Sequence, residues 1–117
     1  MTDLEITRLC AEAMGLNNVK SARKEIFGNV MQFVDEPIDK SDCVIYIHQD
    51  GYPIIYNPLH DDAQAMALVK KFRLHTGFQS FENRWGCLAQ NGITATYNSD
   101  LNRAICECVA NMQKDKP

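Results

Sequence analysis

The sequence predicts an α+β protein: a three-layer α/β/α sandwich on a mainly antiparallel sheet of about four strands, in a single domain over residues 1–117. Three observations carry this reading. The chain has 117 residues, 45% hydrophobic and 23% charged, which suits one domain with a core that needs neither disulfides nor metal. Its second half reads strand–turn–strand–helix twice, and both second strands end in Tyr-Asn (56–57 and 97–98), an internal pseudo-repeat. Finally, the stretch 43–48 is apolar on both faces, Val44 and Tyr46 on one, Cys43, Ile45 and Ile47 on the other. A sheet covered on one side only would alternate with polar residues there, so this one is expected to be covered on both.

The elements follow in order. Thr2 and Glu5 form a capping box, and Ile6, Leu9, Cys10 and Ala13 then fall on one helical face, with Gly15 placed to end the helix. A helix over residues 3–14 results, and it takes the free face of the sheet. Residues 26–34 are rich in strand formers, and Gly28-Asn29 can turn a hairpin, so one or two short strands are expected between residues 16 and 42. Residues 35–42 form a polar loop interrupted by Pro37. Strands 43–48 and 52–56 flank Asp50-Gly51, read as a tight primed turn, with Pro53 near a strand start or on an edge.

A second helix starts at Asn57-Pro58 or Asp61. Asp61 and Asp62 favour its positive end, Lys70, Lys71 and Arg73 its negative end, and Ala65, Leu68, Val69 and Phe72 mark the buried stripe. Residues 74–83 read as a loop. Strands at 84–90 and 93–97 flank Asn91-Gly92, with Trp85, Cys87 and Ala89 on one face and Ile93, Ala95 and Tyr97 on another. Ser99 or Asn98 is expected to cap the last helix, whose stripe is Leu101, Ala104, Ile105, Cys108, Val109 and Met112. The tail 114–117 should fray.

Charge and chemistry narrow the function. A formal net charge of −3 argues against nucleic acid as a partner, and the short basic group Lys20, Arg23 and Lys24 reads as a solvated loop or strand edge, with a phosphate or acidic-partner contact as the alternative. No apolar run reaches membrane-spanning length and the N-terminus carries acids, so no membrane association, no signal peptide and a cytoplasmic location are expected. The odd number of cysteines, at 10, 43, 87, 106 and 108, points to reduced thiols used as small apolar side chains, with Cys106 off the helix stripe and partly exposed. The acids of His60-Asp61-Asp62 are explained by capping, and Cys106 and Cys108 diverge on a helix, so neither metal nor cofactor is expected. His48, His60 and His75 stand in no nucleophile elbow, phosphate loop or dinucleotide fingerprint, so no enzyme is expected.

Aromatic side chains remain. Phe78, Phe81 and Trp85 cluster in and just after the 74–83 loop, and Tyr52 sits beside a hairpin turn. These four are the expected contact residues for a protein partner, because large aromatics dominate interface energetics. The bland alternative places Trp85 and one Phe over the core beneath the loop. Two rival functions stand beside protein binding: self-assembly through an edge strand carrying Ile54 and Ile55, giving a homodimer, and a small enzyme or ligand-binding domain.

Three segments also carry a resemblance. They are Met1-Thr-Asp-Leu-Glu-Ile-Thr-Arg-Leu-Cys-Ala-Glu-Ala-Met-Gly15, Tyr56-Asn-Pro-Leu-His-Asp-Asp-Ala-Gln-Ala-Met-Ala-Leu-Val-Lys-Lys-Phe72 and Asp100-Leu-Asn-Arg-Ala-Ile-Cys-Glu-Cys-Val109. In this order, over about half of the chain, they resemble small phage and prophage proteins of the phage α/β/α-sandwich domain family. The resemblance implies a sheet between helix layers and a phage or prophage accessory gene. It brings no activity and no catalytic residues. Residues 17–42 match nothing in that pattern, and a function peculiar to this chain would lie there or in the segment 74–84. The combined expectation is a non-enzymatic accessory protein that binds a host or phage protein, for example to inhibit a host defence complex.

Overall fold

Thr2 begins the first helix by the reciprocal pair read from the sequence. Its hydroxyl accepts from the Glu5 N–H at 3.2 Å, and its own N–H donates to the Glu5 carboxylate at 3.3 Å. The computed structural model describes residues 1–116; Pro117, the end of the expected frayed tail, lies outside the described residues. Helix α1 (Asp3–Ala13) is followed by strands β1 (Lys20–Phe27) and β2 (Val30–Asp35), a short 3₁₀ turn (Ile38–Lys40), β3 (Cys43–Ile47) and β4 (Pro53–Tyr56). Helix α2 (Asp62–Phe72), strands β5 (His75–Gln79), β6 (Arg84–Leu88) and β7 (Ala95–Asn98), and helix α3 (Leu101–Lys114) complete the chain.

The α+β class and the antiparallel pairing are as predicted, but the strands divide between two sheets. One has four strands in the order β2-β1-β3-β4, the other three in the order β5-β6-β7. The two hairpin–helix units therefore belong to different sheets. Helix α1 packs against β3 and α3, and α3 packs against α1, α2, β6 and β7. Helices thus fill the space between the sheets. On the face of the larger sheet that carries Cys43 and Ile45, they pack with Ala22 of β1 and the half-buried Phe33 of β2, side chains of the same sheet rather than of a second helix layer.

Helix α3 is the centre of the core. Ala104, Ile105, Cys106, Cys108, Val109 and Ala110 are all buried, a wider arc than one stripe. Cys106, expected to be partly exposed, is fully buried because α1 covers that side: the Cys10 thiol donates to the Cys106 carbonyl at 3.4 Å. Each fully buried aliphatic side chain here, such as Ile105 or Val109, contributes about 1.5–3 kcal/mol by leaving water. All five cysteines are free and buried, so they pack as small apolar side chains.

Local differences from the sequence reading have local causes. Asp100, rather than Ser99 or Asn98, caps α3 by accepting from the Arg103 N–H, while the Asn98 side chain accepts from the Asp100 N–H. The Asp50-Gly51 turn is not a two-residue primed turn. Gly51 N–H donates to the His48 carbonyl and His48 N–H to the Tyr52 carbonyl, and only Gly51 (φ 91°) is left-handed. That is a three-residue connection ending in a glycine bulge. At Asn91-Gly92 the loop is longer again, closed by the Ala89 N–H on the Thr94 carbonyl, with Asn91 accepting from Ile93 and Thr94.

The β1–β2 hairpin is longer than the short strands expected. It turns at Gly28-Asn29, with Phe27 opposite Val30 and Gly28 at φ 61°. Strand β3 pairs with β1 only at Lys20, Ser21 and Ala22. Beyond Ala22, β1 is paired with β2 alone, so the hairpin leaves the body as an arm. The long axis of the molecule is 50 Å, and the radius of gyration of 15.2 Å exceeds the about 13 Å typical of a round domain this size.

Candidate protein-binding surface

Residues 74–83 are not a loop. His75–Gln79 forms β5, paired with β6 from His75 opposite Leu88 to Gln79 opposite Arg84. Four of its five residues are exposed, so no apolar alternation marks the strand in the sequence. A short turn then joins β5 to β6, ending at Asn83, which takes the left-handed conformation (φ 51°) that asparagine tolerates better than most residues.

This hairpin assembles three of the four expected aromatics. Phe78 lies directly across from Trp85, and their rings meet edge to face with centroids 5.2 Å apart. Trp85 is half-buried and packs against the main core, so it acts as the base on which Phe78 rests. Phe78 is about half exposed, and Phe81, in the turn itself, is fully exposed. Tyr52 does not join them. It belongs to the β3–β4 connection of the other sheet, where its ring stacks on His48 at 4.6 Å. The bland alternative, Trp85 and one Phe over the core, describes Trp85 with Phe78 packed on it and leaves Phe81 in solvent.

The outer face of the small sheet adds residues not singled out from the sequence. Gly77 stands opposite Gly86, and the Tyr97 ring lies over Gly86, so that a Cβ there would meet a ring carbon at 3.1 Å. The Arg84 guanidinium sits 4.3 Å from the centre of the Tyr97 ring and its Nε donates to the Gln79 side chain at 2.8 Å. Gly77, Gln79, Gly86 and Tyr97, with the exposed Leu88 and His75, line a shallow groove of about 330 Å³ along the strands. The period-two order of 93–97 placed Tyr97 on a face shared with Ala95, but nothing local said that this face would be left open.

Asp61 caps α2 by accepting from the Gln64 N–H, and Asp62 accepts from the Asn102 amide at 2.8 Å, so both carboxylates are engaged at the helix start. Among the described residues, no three His, Cys, Asp or Glu side chains converge as metal ligands would. A cleft of about 230 Å³ between α1 and the large sheet is lined in part by His60, Asp42 and Cys43. Burial, and then the hydrogen bond with Asp42, push the Cys43 thiol up to about 11, so it is not a thiolate at neutral pH. Cys87 is pushed up by its hydrogen bond with Cys108 and by burial, and Cys106 by its contact with Cys10 and by burial. No described helix is long and apolar enough to cross a membrane. Comparison with protein families, with curated proteins and with solved structures returns no match to this chain.

Proposed function

We propose that the protein is a non-catalytic protein-binding module and that the β5–β6 hairpin is its contact surface. The observation that carries this reading is Phe81: a large apolar side chain fully in solvent at the turn of a hairpin that also carries the half-exposed Phe78, packed on Trp85. Phe81 does nothing for the isolated fold. Buried in a partner, Phe81 would contribute about 1.5–3 kcal/mol, the scale of an interface hot spot, and the half-exposed Phe78 about half as much. Because the hairpin rests on the core through Trp85, little conformational freedom is lost on docking.

The partner in this reading is a protein of a bacterial host or of a phage, an assignment that rests on the three segments resembling small phage proteins. Blocking a host defence or regulatory complex is one form of such binding. The test is affinity capture from host lysate with the wild-type protein and with Phe81→Ala and Phe78→Ala variants, read by quantitative mass spectrometry. A protein retained by the wild type and lost by both variants supports the reading. Equal capture by all three removes the hairpin as the contact surface.

A further inference from the structure

We infer that the free edge of β2 is a self-association edge, where two copies of this chain pair their β2 strands antiparallel about a two-fold axis at Gln32. The larger sheet has two open edges, β2 and β4. Strand β4 is short, four residues, and begins with Pro53, which lacks an N–H to offer a neighbour. Strand β2 has six residues, no proline and a single charge, Asp35 at its end, with none from Val30 through Val34. The apolar side chains left in water concentrate on the same arm, where Ile26, Phe27, Val30 and Met31 are each more than half exposed.

The register follows from the hairpin. Its two-residue turn makes Phe27 and Val30 a hydrogen-bonded pair, and such pairs alternate along an antiparallel ladder. Val30, Gln32 and Val34 therefore direct their backbone groups to β1. The Glu36 N–H, which donates to the Ser21 carbonyl, continues the same alternation. Met31, Phe33 and Asp35 direct theirs to the open edge. A second β2 can satisfy them if Met31 stands opposite the partner's Phe33, which puts Gln32 opposite the partner's Gln32 and Val30 opposite the partner's Val34. The order Val-Met-Gln-Phe-Val reads apolar–apolar–polar–apolar–apolar in both directions, so this pairing sets like beside like. No two charges are opposed: Asp35, already bound to Lys20 at 3.2 Å, falls opposite the partner's Asn29. The product is a continuous eight-stranded sheet.

The contact involves fewer residues than the about 20–30 per side of a standard interface, so the dimer is concentration-dependent. It also lies on a different sheet from Phe78 and Phe81, so it stands or falls separately from the binding function above. Two measurements test it together. Sedimentation over a wide concentration range should show the mass rising from 13.3 kDa towards its double, and Met31→Pro, which removes an outward N–H and leaves the β1 ladder intact, should hold the chain at the monomer mass. Gln32→Cys should cross-link to a covalent dimer under oxidised glutathione, because position 32 meets itself on the axis and the five native thiols are buried. Val30→Cys alone should not cross-link, whereas a mixture of Val30→Cys and Val34→Cys should. A monomer at every concentration overturns the inference, as does a dimer in which Gln32→Cys fails to cross-link.

Discussion

Replacing Trp85 and replacing Phe81 should have opposite consequences, although the two residues are four apart in one hairpin. Trp85 packs on the core and holds the Phe78 ring at 5.2 Å. A fully buried Trp→Ala change costs about 3–5 kcal/mol, and Trp85 is only half-buried, so the cost here is about 2 kcal/mol. With an unfolding entropy of about 2.1 cal/mol/K per residue, 117 residues give about 0.25 kcal/mol/K, and Trp85→Ala should lower Tm by about 8 °C. Phe81 is fully exposed and touches no core residue, so Phe81→Ala should stay within about 0.5 kcal/mol, or about 2 °C. Differential scanning calorimetry of the two variants makes the comparison. Equal losses of stability would refute the division into a support and a contact residue. So would a Trp85→Ala protein that melts like the wild type.

Three further outcomes follow from the same geometry. Asp100→Ala removes the acceptor for the Arg103 N–H at the start of α3 and should cost about 1 kcal/mol, about 4 °C in Tm by calorimetry. Gly86→Ala should push the Tyr97 ring off its seat and break its stacking with Arg84, at about 1 kcal/mol, seen as a loss of near-ultraviolet circular dichroism from Tyr97 together with a lower Tm. Stability should fall in alkali. The Cys43 thiol titrates near 11 when folded but near 9 when unfolded, so between these values the unfolded chain holds fewer protons and is favoured as pH rises. Chemical denaturation across pH 8–11 should show midpoints that decline through that window and are level below it.

Local chemistry was legible at several points. The Thr2–Glu5 box and the Gly28-Asn29 turn stand where the residues placed them, α2 takes Asp61, one of its two expected starts, and the predicted helix stripes lie within wider buried arcs that also take Thr7 and Ala11 on α1 and Cys106 and Ala110 on α3. What failed to show was set by distant parts of the chain. Strand β5 is exposed along most of its length and so lacks the alternation that reveals a half-buried strand. Cys106 lies off the α3 stripe, and only the arrival of α1 on that side buries it. Which hairpin joins which sheet depends on pairings such as Lys20 with Ile45, which no local pattern encodes.

The candidate surface divides in the same way. Composition alone drew attention to Phe78, Phe81 and Trp85, and the pairing of β5 with β6 brings Phe78 onto Trp85. Tyr52 looked equivalent in the sequence because it too sits at a turn, but that turn closes the other sheet, where His48 occupies its ring. The exposed face under Tyr97 and the projecting arm were not visible, because an apolar residue in a strand looks the same whether or not another layer covers it.

The central claim is that Phe81 serves a partner and not the fold. It is tested most directly by titrating the captured partner with wild-type and Phe81→Ala protein in a calorimeter, after both have been shown to melt together. The account predicts that the variant binds at least about tenfold more weakly, the equivalent of about 1.4 kcal/mol. Equal affinities at equal stability would contradict it.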